Sequence, residues 1–193
     1  QAISVAMYVI GFSEAFIAAI PGTGLSITTI ATICNVFVFV CVFIGAGWTI
    51  RLQYFILAML LASLVSFYIG AVPSFDLQIF NANLKPSFEG ETAFTMFALF
   101  FPAVTGIMAG ANMSGDLKDP ARAIPAGTLW SILFTGLIYV SLTILMGGAR
   151  DAASLKVLNG QELVISNIAW SGLLITAGVF AATLSSALGS MMG

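Results

Sequence analysis

Apolar residues run along this chain in long blocks, and polar residues are confined to the short intervals between them. The blocks cover residues 2–20, 25–45, 52–72, 94–112, 126–147 and 168–193. Each approaches the roughly 20 apolar residues that a helix needs to cross a bilayer. Pro21-Gly-Thr-Gly24 reads as a turn and 47–51 as a short loop ending in Arg51. Two longer polar stretches, 73–92 and 148–167, divide the remaining blocks, and 113–125 is a loop rich in Asp, Lys and Arg. The pattern predicts an all-α integral membrane protein with about six transmembrane helices, no strands and a single domain over 1–193.

The fourth block is interrupted. Pro102 has no N–H, so the carbonyl of Ala98 loses its helical partner. Gly106 and Gly110 follow within eight residues, and no charge lies between Ala93 and Gly115. A span broken at mid-depth exposes backbone groups that lipid cannot satisfy, and it is tolerated where it lines a cavity or binds something. The end of one half-helix then offers carbonyls to cations, and the start of the next offers N–H groups to anions. The plainer reading is a kinked packing helix, since Gly106 and Gly110 also suit close helix contact.

Composition narrows the classes. The chain is 60% hydrophobic and 7% charged, against roughly 25% charged in a soluble domain. Its mean hydropathy is +1.07. A net charge of −2 argues against a nucleic-acid partner. The sequence has no His, no Ser/His/Asp or Cys/His set, no metal-ligand cluster and no phosphate-cradling glycine loop, so neither an enzyme nor a cofactor is expected. Cys34 and Cys41 lie two helical turns apart, too far for a disulfide, and read as buried thiols. The chain begins without an initiator Met and stops in an apolar run, so we expect the interior of a longer protein. Arg51, Lys118 and Arg122 sit in the shorter loops, which places 47–51 and 113–125 in the cytoplasm.

Polar residues within apolar spans are candidates for function. The Tyr8 hydroxyl lies mid-span and needs a partner; a helix–helix hydrogen bond would suffice. Thr105 can bond back within its helix or turn its oxygen toward a site. Ser185 and Ser186 suit small-residue packing, and with a nearby carbonyl they also suit a hard oxygen cage for a small cation. Glu14 reads as a structural partner rather than a proton carrier.

Three strings carry a resemblance. They are Val5-Ala-Met-Tyr-Val-Ile-Gly-Phe-Ser-Glu14, the run from Phe101 to Pro120 with Ile124-Pro-Ala-Gly-Thr128, and Ala182-Thr-Leu-Ser-Ser-Ala-Leu188. Together they resemble the cation–chloride cotransporters of the amino acid–polyamine–organocation superfamily, most of all the sodium–potassium–chloride branch. The resemblance implies the third to eighth of twelve spans, a partial inverted-repeat transporter fold and ion sites at mid-membrane. It implies a potassium site at Tyr8, Pro102 and Thr105. It implies a chloride contact at the N–H groups of Gly106, Ile107 and Met108. It implies a sodium site at the Ala182 carbonyl, Ser185 and Ser186, the serine pair being absent from the sodium-independent branch. The stretch 148–167 departs from the resemblance.

The expected function is secondary active symport of chloride with potassium and sodium by alternating access, in the cell membrane. Expected partners are inorganic ions, membrane lipid and the remaining spans of the full-length chain, with a homodimer left open. The alternatives are an amino acid or amine permease of the same fold and a non-transporting membrane subunit.

Overall fold

The computed structural model describes residues 2–20, 22–85, 90, 92–101, 109–112, 114–156 and 164–192. Among them every regular element is helical: α1 (Ala2–Ala19), α2 (Ile27–Ile44), α3 (Ala46–Ala71), α4 (Leu77–Asn83), α5 (Ala93–Phe100), α6 (Ala109–Asn112), α7 (Pro120–Ala149), α8 (Ala152–Lys156), α9 (Val164–Ile168) and α10 (Gly172–Met192), with a 3₁₀ turn at Ser114–Asp116. Five of these helices, in α1, α2, α3, α7 and α10, are long and apolar enough to cross a membrane.

The loop expected at 47–51 is helical instead. Gly45 turns the chain by itself, at φ +124°, a conformation that a side chain would strain. The buried Thr49 hydroxyl then donates to the Cys41 carbonyl (3.1 Å), near the end of α2, and to the Gly45 carbonyl (3.2 Å), which also accepts the Thr49 N–H (3.3 Å) as α3 begins. The residues after Gly45 can therefore wind straight into α3. Its 26 residues span about 39 Å, more than the hydrocarbon thickness of about 30 Å.

Both polar stretches also contain short helices. Asp76 caps α4 by accepting from the N–H groups of Gln78 (2.6 Å) and Ile79 (3.4 Å). Asn83 then fastens α4 to the end of α7, donating to the carbonyls of Gly147 (2.7 Å) and Arg150 (2.8 Å). α8 and α9 lie in the second stretch. Asp151, just before α8, takes a hydrogen bond from the Ser154 hydroxyl, which holds its carboxyl below the usual carboxylate range.

Two apolar cores form, and α3 and α10 contribute to both. The first joins Val5 and Val9 of α1, Cys34, Val38 and Cys41 of α2, Ile56 of α3, and Ala181, Ala187 and Leu188 of α10. The second joins Phe67 and Ala71 of α3 with Ala149, Ile168 and Ile175. Both cysteines are free and buried, as their spacing requires.

α3 and α10 run antiparallel. At one end Ser66 takes the Ser171 N–H on its hydroxyl (2.9 Å) and the Trp170 N–H on its carbonyl (2.9 Å). At mid-length Gly178 meets Ser63 so closely that an added Cβ would lie 2.3 Å from the serine oxygen. At the other end Gln53 reaches Ser185. By contrast, no residue in the most apolar window of α7 is buried within the chain, which leaves that helix to lipid or to other spans.

The close approach at Gly70 gives the first prediction. A Cβ there would sit 2.1 Å from the Ile168 carbonyl oxygen, a backbone atom that cannot swing aside. Gly70→Ala should lower thermal stability in detergent by about 1–3 kcal/mol or prevent folding. Gly127→Ala, with nothing within 4 Å, should be neutral or slightly stabilising. Equal melting temperatures for the two variants would contradict the α3–α9 packing.

Candidate functional site

The described part of the site lies between α1, α3 and α10. Phe12 and Phe16 of α1 pack on Phe180 of α10, with ring centroids 5.3 and 6.2 Å apart. Gly11 faces Thr183, whose methyl would be 3.9 Å from an added Cβ. These contacts set an antiparallel register. Both helices rise about 1.5 Å per residue, so Tyr8, three residues before Gly11, comes level with Ser186, three residues after Thr183. Tyr8 is half-buried and packs on the first core, which includes Ala187 and Leu188. The helices thus bring Tyr8 to the same depth as the serine pair.

The hydroxyls of α10 behave differently from one another. Thr183 donates to the carbonyls of Val179 (2.9 Å) and Phe180 (3.1 Å) in its own helix. Ser185 turns away from its helix and donates to Oε1 of Gln53 on α3. Gln53 Nε2 donates in return to the Ser185 carbonyl at 3.3 Å. Ser186 and Ala182 are half-buried, and α10 is unbroken through both. Among the described residues no cluster of three Asp, Glu, His or Cys could hold a metal ion. The oxygens gathered here are neutral hydroxyls, a side-chain amide and backbone carbonyls.

Pro102, Thr105, Gly106, Ile107 and Met108, expected to bind potassium and chloride, lie outside the described residues. The helices on either side are placed. Phe100, the last residue of α5, meets Tyr139 of α7 edge-on, with ring centroids 6.2 Å apart. α6 contacts both α7 and α10. The interrupted block therefore resumes beside the helix that carries the serine pair.

Gln53 escaped the sequence reading. It falls one residue inside the block assigned to 52–72, next to a loop that proved helical, and no role was assigned to it. The available signal was a lone Gln between Leu52 and the apolar run that follows.

Comparison with known proteins decides the family. All of residues 1–193 match the family model described as "Amino acid permease". Solute carrier family 12 member 2 of Danio rerio is 34% identical over 248 residues, which take in 100% of this chain and 22% of the relative. The chain belongs to the cation–chloride cotransporter family. The Homo sapiens member 2 is 35% identical over 246 residues, with 100% of this chain and 20% of the relative covered. Solute carrier family 12 member 1 of Oryctolagus cuniculus is 34% identical over 246 residues, covering 100% and 22%. The chain thus spans about a fifth of the length of these family members. It is an integral membrane protein with the all-α transporter fold of this family.

One prediction separates the two kinds of hydroxyl on α10. Thr183→Val removes a group bonded only within its own helix, and it should leave folding and ion dependence of the full-length protein unchanged. A shifted sodium response in this variant would mean that the register or the rotamers at 183–186 differ from those described.

Proposed function

We propose that the full-length protein is a secondary active symporter that moves chloride with potassium and sodium across the cell membrane by alternating access. One observation carries the reading. In a chain of this family, α1 packs on α10 in a register that brings Tyr8 level with the Ser185–Ser186 pair, Ser185 reaches α3 through Gln53, and α6 lies against α10. A small hard cation prefers closely held oxygen ligands, and that depth supplies hydroxyls without a fixed negative charge. In this reading Ala182, through its carbonyl, and Ser185 and Ser186 hold sodium. The Tyr8 hydroxyl, the Pro102 carbonyl and Thr105 hold potassium. The N–H groups of Gly106, Ile107 and Met108 hold chloride. The half-helix ends on either side of the break supply about half a charge each, so cation and anion partly neutralise one another there. Remaining ligands come from spans beyond this chain.

Loss of both serines tests the sodium assignment. Ser185→Ala/Ser186→Ala removes two ligands and keeps a strong helix former, so the protein should fold and still bind potassium and chloride. Its rubidium uptake should lose sodium dependence. A double variant with the wild-type sodium response would leave the pair a packing device only.

The potassium and chloride assignments have separate tests. Tyr8→Phe and Thr105→Val each remove one oxygen and keep the shape, so each should raise the half-saturating rubidium concentration more than it lowers the amount of folded protein. One hydrogen bond contributes only about 1 kcal/mol to stability. Gly106→Ala crowds a backbone that must approach the anion and should weaken chloride dependence. Unchanged rubidium affinity in the first two, or unchanged chloride affinity in the third, would remove those residues from the site.

The match to the amino acid permease family favours a second reading, in which an organic substrate occupies the break. Amino acid uptake that competes with rubidium would support it.

A further inference from the structure

We propose that Gln53 is a positioning residue for sodium: it takes the proton of the Ser185 hydroxyl and so turns that oxygen's lone pairs toward the ion. The inference rests on the sodium reading above and adds a residue on a third helix.

A serine oxygen carries one proton and two lone pairs. It can ligate a cation only when the proton points elsewhere. Most hydroxyls in the apolar spans place their proton on their own helix, four residues back: Ser13 on Val9 (2.8 Å), Thr32 on Thr28 (2.8 Å), Thr135 on Ser131 (2.7 Å), Thr143 on Tyr139 (2.8 Å) and Thr183 on Val179 (2.9 Å). Such a bond ties the side chain to the helix surface. Ser185 departs from this, as Ser66 does where it donates to the Ser171 carbonyl (3.2 Å): its proton goes across the helix interface, to the side-chain oxygen Oε1 of Gln53.

The amide cannot serve equally well the other way round. Gln53 Nε2 donates to the Ser185 carbonyl. Reversing the amide would set its oxygen against that carbonyl oxygen and its N–H groups against the hydroxyl, which would then have to donate elsewhere. The two bonds together fix which end of the amide faces the hydroxyl. Gln53 is half-buried and stands on α3, which the Ser66 and Gly178 contacts clamp to α10. Its position is therefore set before any ion arrives, and the serine oxygen is oriented in advance.

A residue that merely joined two helices would change the amount of folded protein. A residue that orients a ligand changes affinity for one ion. The test measures sodium-dependent rubidium uptake by the full-length protein in proteoliposomes, for wild type, Gln53→Leu, Gln53→Glu, Ser185→Ala and the Gln53→Leu/Ser185→Ala pair. Gln53→Leu should raise half-saturating sodium about five- to tenfold, the worth of one neutral hydrogen bond. Uptake at saturating sodium, and half-saturating rubidium and chloride, should not move. Gln53→Glu keeps the accepting oxygen, so its half-saturating sodium should equal or fall below that of wild type. Ser185→Ala should weaken sodium further, and Gln53→Leu should add nothing to it, because Gln53 acts only through Ser185.

Wild-type sodium affinity in Gln53→Leu, beside a weakened Ser185→Ala, would overturn the positioning role and leave the sodium site standing. If Gln53→Leu yields no folded protein, Gln53→Glu decides: weakened sodium affinity there overturns the proposal, and preserved affinity upholds it. A wild-type sodium response in Ser185→Ala would overturn the site itself, and the role of Gln53 with it.

Discussion

Inside a bilayer, apolar side chains gain little by leaving lipid for one another, so helices associate through close backbone contact and through polar groups that bond across. The antiparallel seam between α3 and α10 uses both. Ser63 lies against Gly178, and Ser66 takes N–H groups from Trp170 and Ser171 where the chain turns into α10. Gln53 and Ser185 exchange hydrogen bonds nearer the other end. α1 and α2 pack on this pair to make one core, and α7 and α9 meet it at the opposite end to make the other. α3 and α10 are the two helices that both cores share.

The seam also decides what the site can be. α10 is gripped by α3 on one side and lined by α1 on another, so residues 182–186 are held in register with the part of α1 that carries Tyr8. The donors present are neutral oxygens. In the proposed sodium site a cation would lose water to ligands that carry no charge, and geometry rather than Coulomb attraction would have to hold it. A rigid seam supplies that geometry. α7 shows a looser condition along its most apolar stretch, where no side chain is fully buried although Leu142, Leu145 and Met146 rest on the second core.

Most of the helical layout was legible in the sequence because apolar length is a direct consequence of bilayer thickness. The short loop at 47–51 was misread for a local reason. Gly47, Trp48, Thr49 and Arg51 look like a connection, but Gly45 makes the whole turn and Thr49 bonds backward to α2. The small helices α4, α8 and α9 were hidden in polar stretches, since a capped helix of five to seven residues has too few positions to show a period. Tyr8 and Ser185–Ser186 were named from the sequence as candidates, and the register of α1 against α10 brings Tyr8 level with Ser186. Gln53 was not named, because its role comes from a contact 132 residues away in sequence. Only packing reveals such a pairing. The break at Pro102–Met108 lies outside the described residues, and its part in the account rests on the sequence and the family.

The central claim is coupled movement of three inorganic ions. Rubidium uptake by the full-length wild-type protein in proteoliposomes tests it most directly, with sodium and chloride omitted one at a time and a panel of amino acids offered as competing substrates. The account predicts uptake that needs both sodium and chloride and ignores the amino acids. Uptake that proceeds without chloride, or an absence of rubidium uptake together with accumulation of an amino acid, would contradict it.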